Sequence, residues 1–435
     1  MRLILFCTLI IIFPLLSVFG QQSNRTTSSN EMEFVNWAKE KALEIKMEGS
    51  QNKSDDILQL KKTLAGVRVI ALGEPAHGFP EPLAFRNRLF KFLVENCGYT
   101  SIVLESDLAG SHNASKFVSG LIVSALDSVN LTRGMSKENM ALIRWMRTYN
   151  QNASNKRKIG FFGMDMQQIG FPGDTSVHHM ALDNTMEYLT KTDKENAQNF
   201  KDRLETFLPR MSVKNYAAIS IPEHDKLSGI LDDLISYFER EKIRLIASSS
   251  TDEFEWAYRN AVAARQTNRL IRLSPPEIPG KIPPEGWALM SSRDASMAEN
   301  VLWVLQRQSQ GGNVLVFAHN AHVKGQPTKG SVWDAFSRPP NAMGEYLRSQ
   351  LGQKLYILGS SVGANIETAQ EYSFDRALNK VGLPRYFLDL RQAKEKARVL
   401  SYLSTEIPME ANTRNFLNLK PVLSFDGILY MDKTQ

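Results

Sequence analysis

Short apolar runs alternate along this chain with longer stretches whose apolar positions recur at helical spacing. Residues 67–72 (VRVIAL), 101–104 (SIVL), 158–163 (KIGFFG), 313–317 (NVLVF) and 354–358 (KLYIL) read as strands. Residues 33–46 and 82–96 read as helices. Segments 386–390 and 421–431 are expected as later, edge strands. Between the third and fourth strands no strand pattern occurs; 177–208, 223–242 and 252–273 have helical periodicity, and a Pro-rich loop leads to a further helix over 292–308. Alternating strands and amphipathic helices predict a parallel α/β sheet. Residues 173–273 are expected as a helical insertion over one of its faces.

The ends of the chain change this picture. Met1-Arg2, the apolar run 3–19 and the small Gly20 form a secretory leader with expected cleavage before Gln21, and Pro14 and the brevity of the run argue against a spanning helix. The expected organisation is a signal peptide over 1–20, a lead and helix over 21–60, and a catalytic α/β domain over 61–435. The mature protein is then exported, periplasmic or extracellular, with no stable membrane insertion. Cys7 leaves with the leader, so Cys97 remains as a single, structural thiol with no intramolecular disulfide partner. Sequons at Asn24, Asn52, Asn113, Asn130 and Asn152 do not establish a source. The 435 residues are 43% apolar, enough for a large core, and the +6 net charge is spread along the chain. With no basic block interleaved with aromatics, nucleic acid is not the expected partner.

Chemistry gathers where the strands end. Glu74 and His77 follow the first strand, Glu105 the second, Asp165 the third, and His319-Asn320-Ala321-His322 the fourth. In open parallel sheets the carboxyl edge is where ligands bind. One strand-end Glu or His is as readily a satisfied structural group as a functional one, and capping could explain one or two of these positions. It does not easily explain four. The chemistry implied is activation of water, since histidine exchanges protons near neutrality. Glu74 or Glu105 could fix the tautomer of His77, and Arg86, on the helix that follows, could steady an oxyanion or orient a carboxylate. His322 reads equally as a partner of His319. His112, His178, His179 and His224 read as exposed and are assigned nothing.

These residues carry a family resemblance. Gly73-Glu74-x-x-His77 with Arg86 nine residues on, Glu105 closing an LES segment, Ser292-Arg293-Asp294-x-x-Met297-Ala298-Glu299-Asn300, Phe317-Ala318-His319-Asn320-Ala321-His322, Met343-Gly344-x-Tyr346-Leu347 and Phe425-Asp426-Gly427 together resemble the erythromycin esterase family over roughly residues 65–430. The resemblance implies a three-layer α/β/α fold with a mainly parallel central sheet and a helical lid. It implies hydrolysis of a macrolide lactone, hence macrolide inactivation, with neither metal nor other cofactor. His77 would be the general base, Glu74 and Glu105 its orienting or relaying acids, and Arg86 and His319 substrate or oxyanion contacts. His322, Asn320, Asp165 and Arg293 are taken as substrate-binding. Phe317 stands where the family often has Trp, and Ser360-Ser361-Val362-Gly363 departs from its pattern.

Three other readings compete. Gly359-x-Ser361-x-Gly363 after a strand suggests a serine esterase, but no histidine follows Ser361, so the Ser–acid–His order of α/β-hydrolases cannot be met. Glu74, His77, Glu105, Asp165, His319 and His322 form a credible metal-ligand set for a metallohydrolase, although no His-Glu-x-x-His spacing occurs. A non-catalytic binding protein on the same scaffold would keep the pocket and tolerate loss of the base; here both histidines and both glutamates are present.

Overall fold

A computed structural model describes residues 29–46, 55–122, 136–166, 179–210, 219–274, 281–308, 311–363, 369–412 and 415–432. The leader 1–20, residues 21–28 and 47–54 of the lead and the start of the expected insertion therefore lie outside the described residues. Ten described strands run β1 (Leu43–Glu44), β2 (Val69–Glu74), β3 (Tyr99–Asp107), β4 (Gly160–Asp165), β5 (Asn313–His319), β6 (Leu355–Val362), β7 (Arg385–Asp389), β8 (Ile407–Asn412), β9 (Asn415–Leu419) and β10 (Gly427–Met431). Eight of them form one sheet in the order β1-β7-β10-β6-β2-β5-β3-β4, and β8 and β9 form a separate hairpin. Pairing is parallel from β10 through β4, while β7 is antiparallel to both of its neighbours.

Successive residues of a strand face opposite ways, and the two faces feed two cores. Val69 and Ala71 of β2, with Val314 and Val316 of β5, join the core on one face. Ile70, Leu72, Leu315 and Phe317 join the other. Against the second face lie helices Pro80–Cys97 and Lys137–Gln151, through Leu89, Phe90, Leu93, Leu142 and Met146. The first is covered by Met180–Thr192, Ile221–Ala247, Thr251–Arg272 and Gly286–Arg307. This is the expected three-layer α/β/α arrangement. The insertion helices share one continuous apolar core with the sheet. No described helix is long and apolar enough to cross a membrane.

Several boundaries differ from the sequence reading. The expected helix over 177–208 is two helices, broken at Asp193, whose carboxylate caps the second by accepting from Asn196 N and also receives the Tyr237 hydroxyl. The segments expected as edge strands are interior: β10 sits between β6 and β7, and two-residue β1 takes the edge. The β8–β9 hairpin was not expected. Its first strand (IPMEAN) has little intrinsic strand preference and takes its form from pairing, Met409 opposite Leu417.

Candidate functional site

Strands β2, β5, β3 and β4 lie side by side and end together, with Glu74 in register with His319 and Asp107 with Asp165. A register shift between Leu104 and Asp107 lies where Glu105 leaves the ladder, the kind of irregularity that re-aims a side chain. Beyond Glu74 the chain turns through Gly78, whose φ of +94° suits glycine, and Pro80 opens the next helix. This short turn stands His77 over the end of β2.

His77 is the exposed member of the group. Its side chain is 58% accessible, and Nδ1 lies 2.7 Å from Glu74 Oε1, while Glu74 itself is buried. That bond fixes the tautomer with Nδ1–H donating to the carboxylate, and among the described residues Nε2 has no protein partner. The bond to Glu74 raises the pKa of His77 above 6.5, against the opposing effect of burial and with help from the charge of Glu105. The second carboxylate oxygen, Glu74 Oε2, is buried without a hydrogen-bond donor.

Behind this pair lies a buried charge network. Arg293 Nη2 donates to Asp165 Oδ2 (2.6 Å) and Glu105 Oε1 (3.1 Å), and Nε donates to Asp165 Oδ1 (3.0 Å). Glu105 Oε2 accepts the His319 backbone N–H at 2.8 Å. His322 Nε2 is 3.4 Å from Glu105 Oε1, and Nδ1 is 2.9 and 3.0 Å from the two oxygens of Asp294. Burial alone would push the Glu105 carboxyl up, but His322, His77 and Arg293 hold it well below the ordinary range. Burial likewise opposes charge on His322, yet Asp294 and Glu105 lift its pKa to about 10.

Several residues expected at the substrate have other places. His319 is buried, with Nε2 donating to Ala411 O (2.8 Å, with Pro75 O at 3.1 Å) and Nδ1 accepting from Ala321 N (3.1 Å). Both ring nitrogens are thus held by backbone, and burial lowers its pKa to about 4, so it is a neutral strut 5.4 Å from the His77 ring. Asn320 is fully buried and ties β5 to β6, donating to Ser360 O and accepting from Ser360 N. The Cβ of any residue at 73 would meet the Asn320 amide oxygen at 2.1 Å, which is why Gly73 precedes Glu74. Asp165 is 1% exposed and is held by Arg293 and by the Met166 backbone N–H, in contrast to the expected ligand contact. Arg86 is 1% exposed, lies over the Phe317 ring at 4.8 Å and bonds Asn87 Oδ1; its charge acts on Glu74 from within the core. Of the expected contacts Arg293 retains partial exposure, with a quarter of its side chain accessible.

The serine reading fails on geometry. Ser361 is completely buried and donates to Asp375 Oδ1 at 2.6 Å, with no histidine beside it. Ser361→Ala is expected to leave turnover within about twofold and to cost about 1–3 kcal/mol of stability for the unpaired carboxylate oxygen; an active-site titration with a fluorophosphonate that labels the wild type would reverse that conclusion. Two residues at the site went unassigned in sequence. Asp294 stands next to Arg293 in the Ser-Arg-Asp motif, and that adjacency was the available signal. Ala411 contributes a carbonyl from a hairpin that no pattern announced. Among the described residues no group of three His, Cys, Asp or Glu side chains is arranged to hold a metal ion.

An α/β/α sheet carrying a histidine–carboxylate pair at its carboxyl edge, backed by buried charges, is the candidate active site. The erythromycin esterase family model matches residues 94–434, and the chain belongs to this family of esterase hydrolases. It is 25% identical to the erythromycin esterase type II of Escherichia coli, covering 93% of this chain and 98% of that protein, and 22% identical to YbfO of Bacillus subtilis, covering 99% and 98%. A crystal structure of a Bacillus cereus protein shares the fold with a TM-score of 0.77 at 21% identity, covering 93% of this chain and 98% of that one. A mutant of the erythromycin esterase EreC in its open conformation matches with a TM-score of 0.59 at 15% identity, covering 87% and 93%.

Proposed function

We propose that this enzyme opens a macrolide lactone by attack of water activated on His77. The observation that carries the reading is the exposed His77 ring, held through Nδ1 by buried Glu74 with Nε2 left to face solvent. The name of the Escherichia coli relative supplies the substrate class. In the proposed step Nε2 takes a proton from water as its oxygen bonds the ester carbon. Glu74 stabilises the imidazolium so formed. Collapse of the tetrahedral alkoxide breaks the ring C–O bond, and His77 returns its proton to the leaving oxygen, giving a hydroxy acid. Arg293, the partly exposed cation of the network, brings positive charge to the side where the oxyanion develops.

The test is a panel of macrolides and simple lactones incubated in ¹⁸O-labelled water, before and after exhaustive dialysis against a chelator. The expected result is a ring-opened product heavier by one water, with the label in the new carboxylate and most of the rate kept after dialysis. Activity that is lost on chelation and returns with stoichiometric zinc would assign the chemistry to a metal-bound hydroxide.

A further inference from the structure

We propose that Asp294 is a positioning residue that holds His322 as a fixed imidazolium, and that this charge keeps Glu105 ionised behind the catalytic pair; the inference rests on His77 as the base. Asp294 is 3% exposed, on the Gly286–Arg307 helix. Both its oxygens face His322 Nδ1, and Oδ1 also accepts the Met343 backbone N–H at 2.7 Å, so its orientation is pinned from a second helix. The imidazole therefore lies between two carboxylates, Asp294 on Nδ1 and Glu105 on Nε2.

Charge balance decides the protonation state. Facing or linked to His322 are Asp294 and Arg293 from the same helix, Glu105 from β3, Asp165 from β4 through Arg293, His319 from β5, and His77 from the turn after β2. His319 is neutral, so without a charge on His322 three buried carboxylates would share one guanidinium. With the charge, two cations meet three anions and each carboxylate has a cationic partner. Arg293 Nη1 lies 3.3 Å from Nε2, where a neutral ring would accept from the guanidinium, whereas a charged ring would turn its Nε2–H to Glu105, 3.4 Å away; the protonation state separates the two. Lys324 and Glu345 stand on the far side of Asp294. Lys324 is fully buried with the Gln326 carbonyl as its hydrogen-bond partner, and burial lowers its pKa to about 7, so it competes weakly for Asp294. Nothing here makes His322 a base. A group that stays protonated beside ionised Glu105 acts as a permanent charge, and Glu105 in turn acts on His77.

The experiment is histidine-edited ¹⁵N NMR of the full chain between pH 6 and 9, with His322→Gln used to assign the signal. It is paired with steady-state kinetics on the lactone turned over by the wild type. The expected wild-type ring is doubly protonated throughout. In Asp294→Asn it becomes neutral within that range, kcat falls by about tenfold, the size of one pKa unit of lost interaction, and KM changes little. That variant's kcat should also decline further as pH rises through its new, lower His322 pKa; Asp294→Glu should restore charge and rate together. A wild-type His322 that titrates near 6.5 overturns the proposal whether or not any variant folds. So does an Asp294→Asn loss that is equal at every pH with the ring still charged. Failure of the His77 reading would look different: a fully active His77→Ala enzyme whose His322 signal remains protonated.

Discussion

His77→Ala should fold normally and lose roughly 10²–10⁴-fold in kcat, the usual contribution of a positioned base. KM should move far less, because the imidazole acts on water while the bound ring is held elsewhere. The fold should survive because the side chain is largely exposed and, among the described residues, bonds only Glu74. The pH profile sharpens the expectation. The base must be unprotonated, and its pKa lies above 6.5 because Glu74 stabilises the charged ring. The acid limb of kcat/KM should therefore fall above pH 6.5. Glu74→Gln removes the carboxylate whose hydrogen bond raises the pKa of His77, so the limb should move to lower pH while the maximum rate drops. Circular dichroism and pH-resolved kinetics check both variants. A folded His77→Ala protein of near wild-type activity would end the mechanism.

The second large effect is on stability. Arg293→Met should destabilise the protein by about 3–5 kcal/mol, because removing one partner leaves buried charge uncompensated. Asp165 is 1% exposed and would lose two guanidinium hydrogen bonds, and neighbouring Glu105 would lose a third. The loss should depend on pH. Glu105 has a depressed pKa in the folded protein, so its stabilising contribution is present above its unfolded value and is lost as the solution is acidified. In Arg293→Met that advantage shrinks, and the gap between variant and wild type should narrow at low pH. Urea midpoints at pH 7 and pH 4 measure it. Equal midpoints at pH 7 would mean that the network is not stabilised by this pair.

Much of this was legible in the residues. The central parallel strands announce themselves because strands buried on both faces are continuously apolar, and their ends deliver Glu74, Glu105, Asp165 and His319 to one edge. The roles were less legible. Sequence puts His77, His319 and His322 on an equal footing, and distance separates them: one is exposed, one is held by backbone carbonyls and one is wedged between carboxylates. Arg86 looked like an oxyanion contact by spacing, but at its place on the Pro80–Cys97 helix it points into the core over Phe317. Asp193, breaking an apparently continuous helix, and the β8–β9 hairpin are both decided by partners distant in sequence, Tyr237 and Arg244 in one case and the pairing itself in the other.

The place of β10 bears on how the enzyme is made. This strand lies between β6 and β7 although both precede it in the chain. Until residues 427–431 leave the ribosome, β6 has an open edge and β7, with β1 beyond it, has nothing to dock against. The hairpin that supplies the Ala411 carbonyl to His319 also emerges late. A nascent chain thus carries an unpaired, apolar strand edge from the emergence of β6 until β10 is made, a state prone to self-association. Occupation of that edge by a chaperone until release would suit a sheet whose middle is filled last.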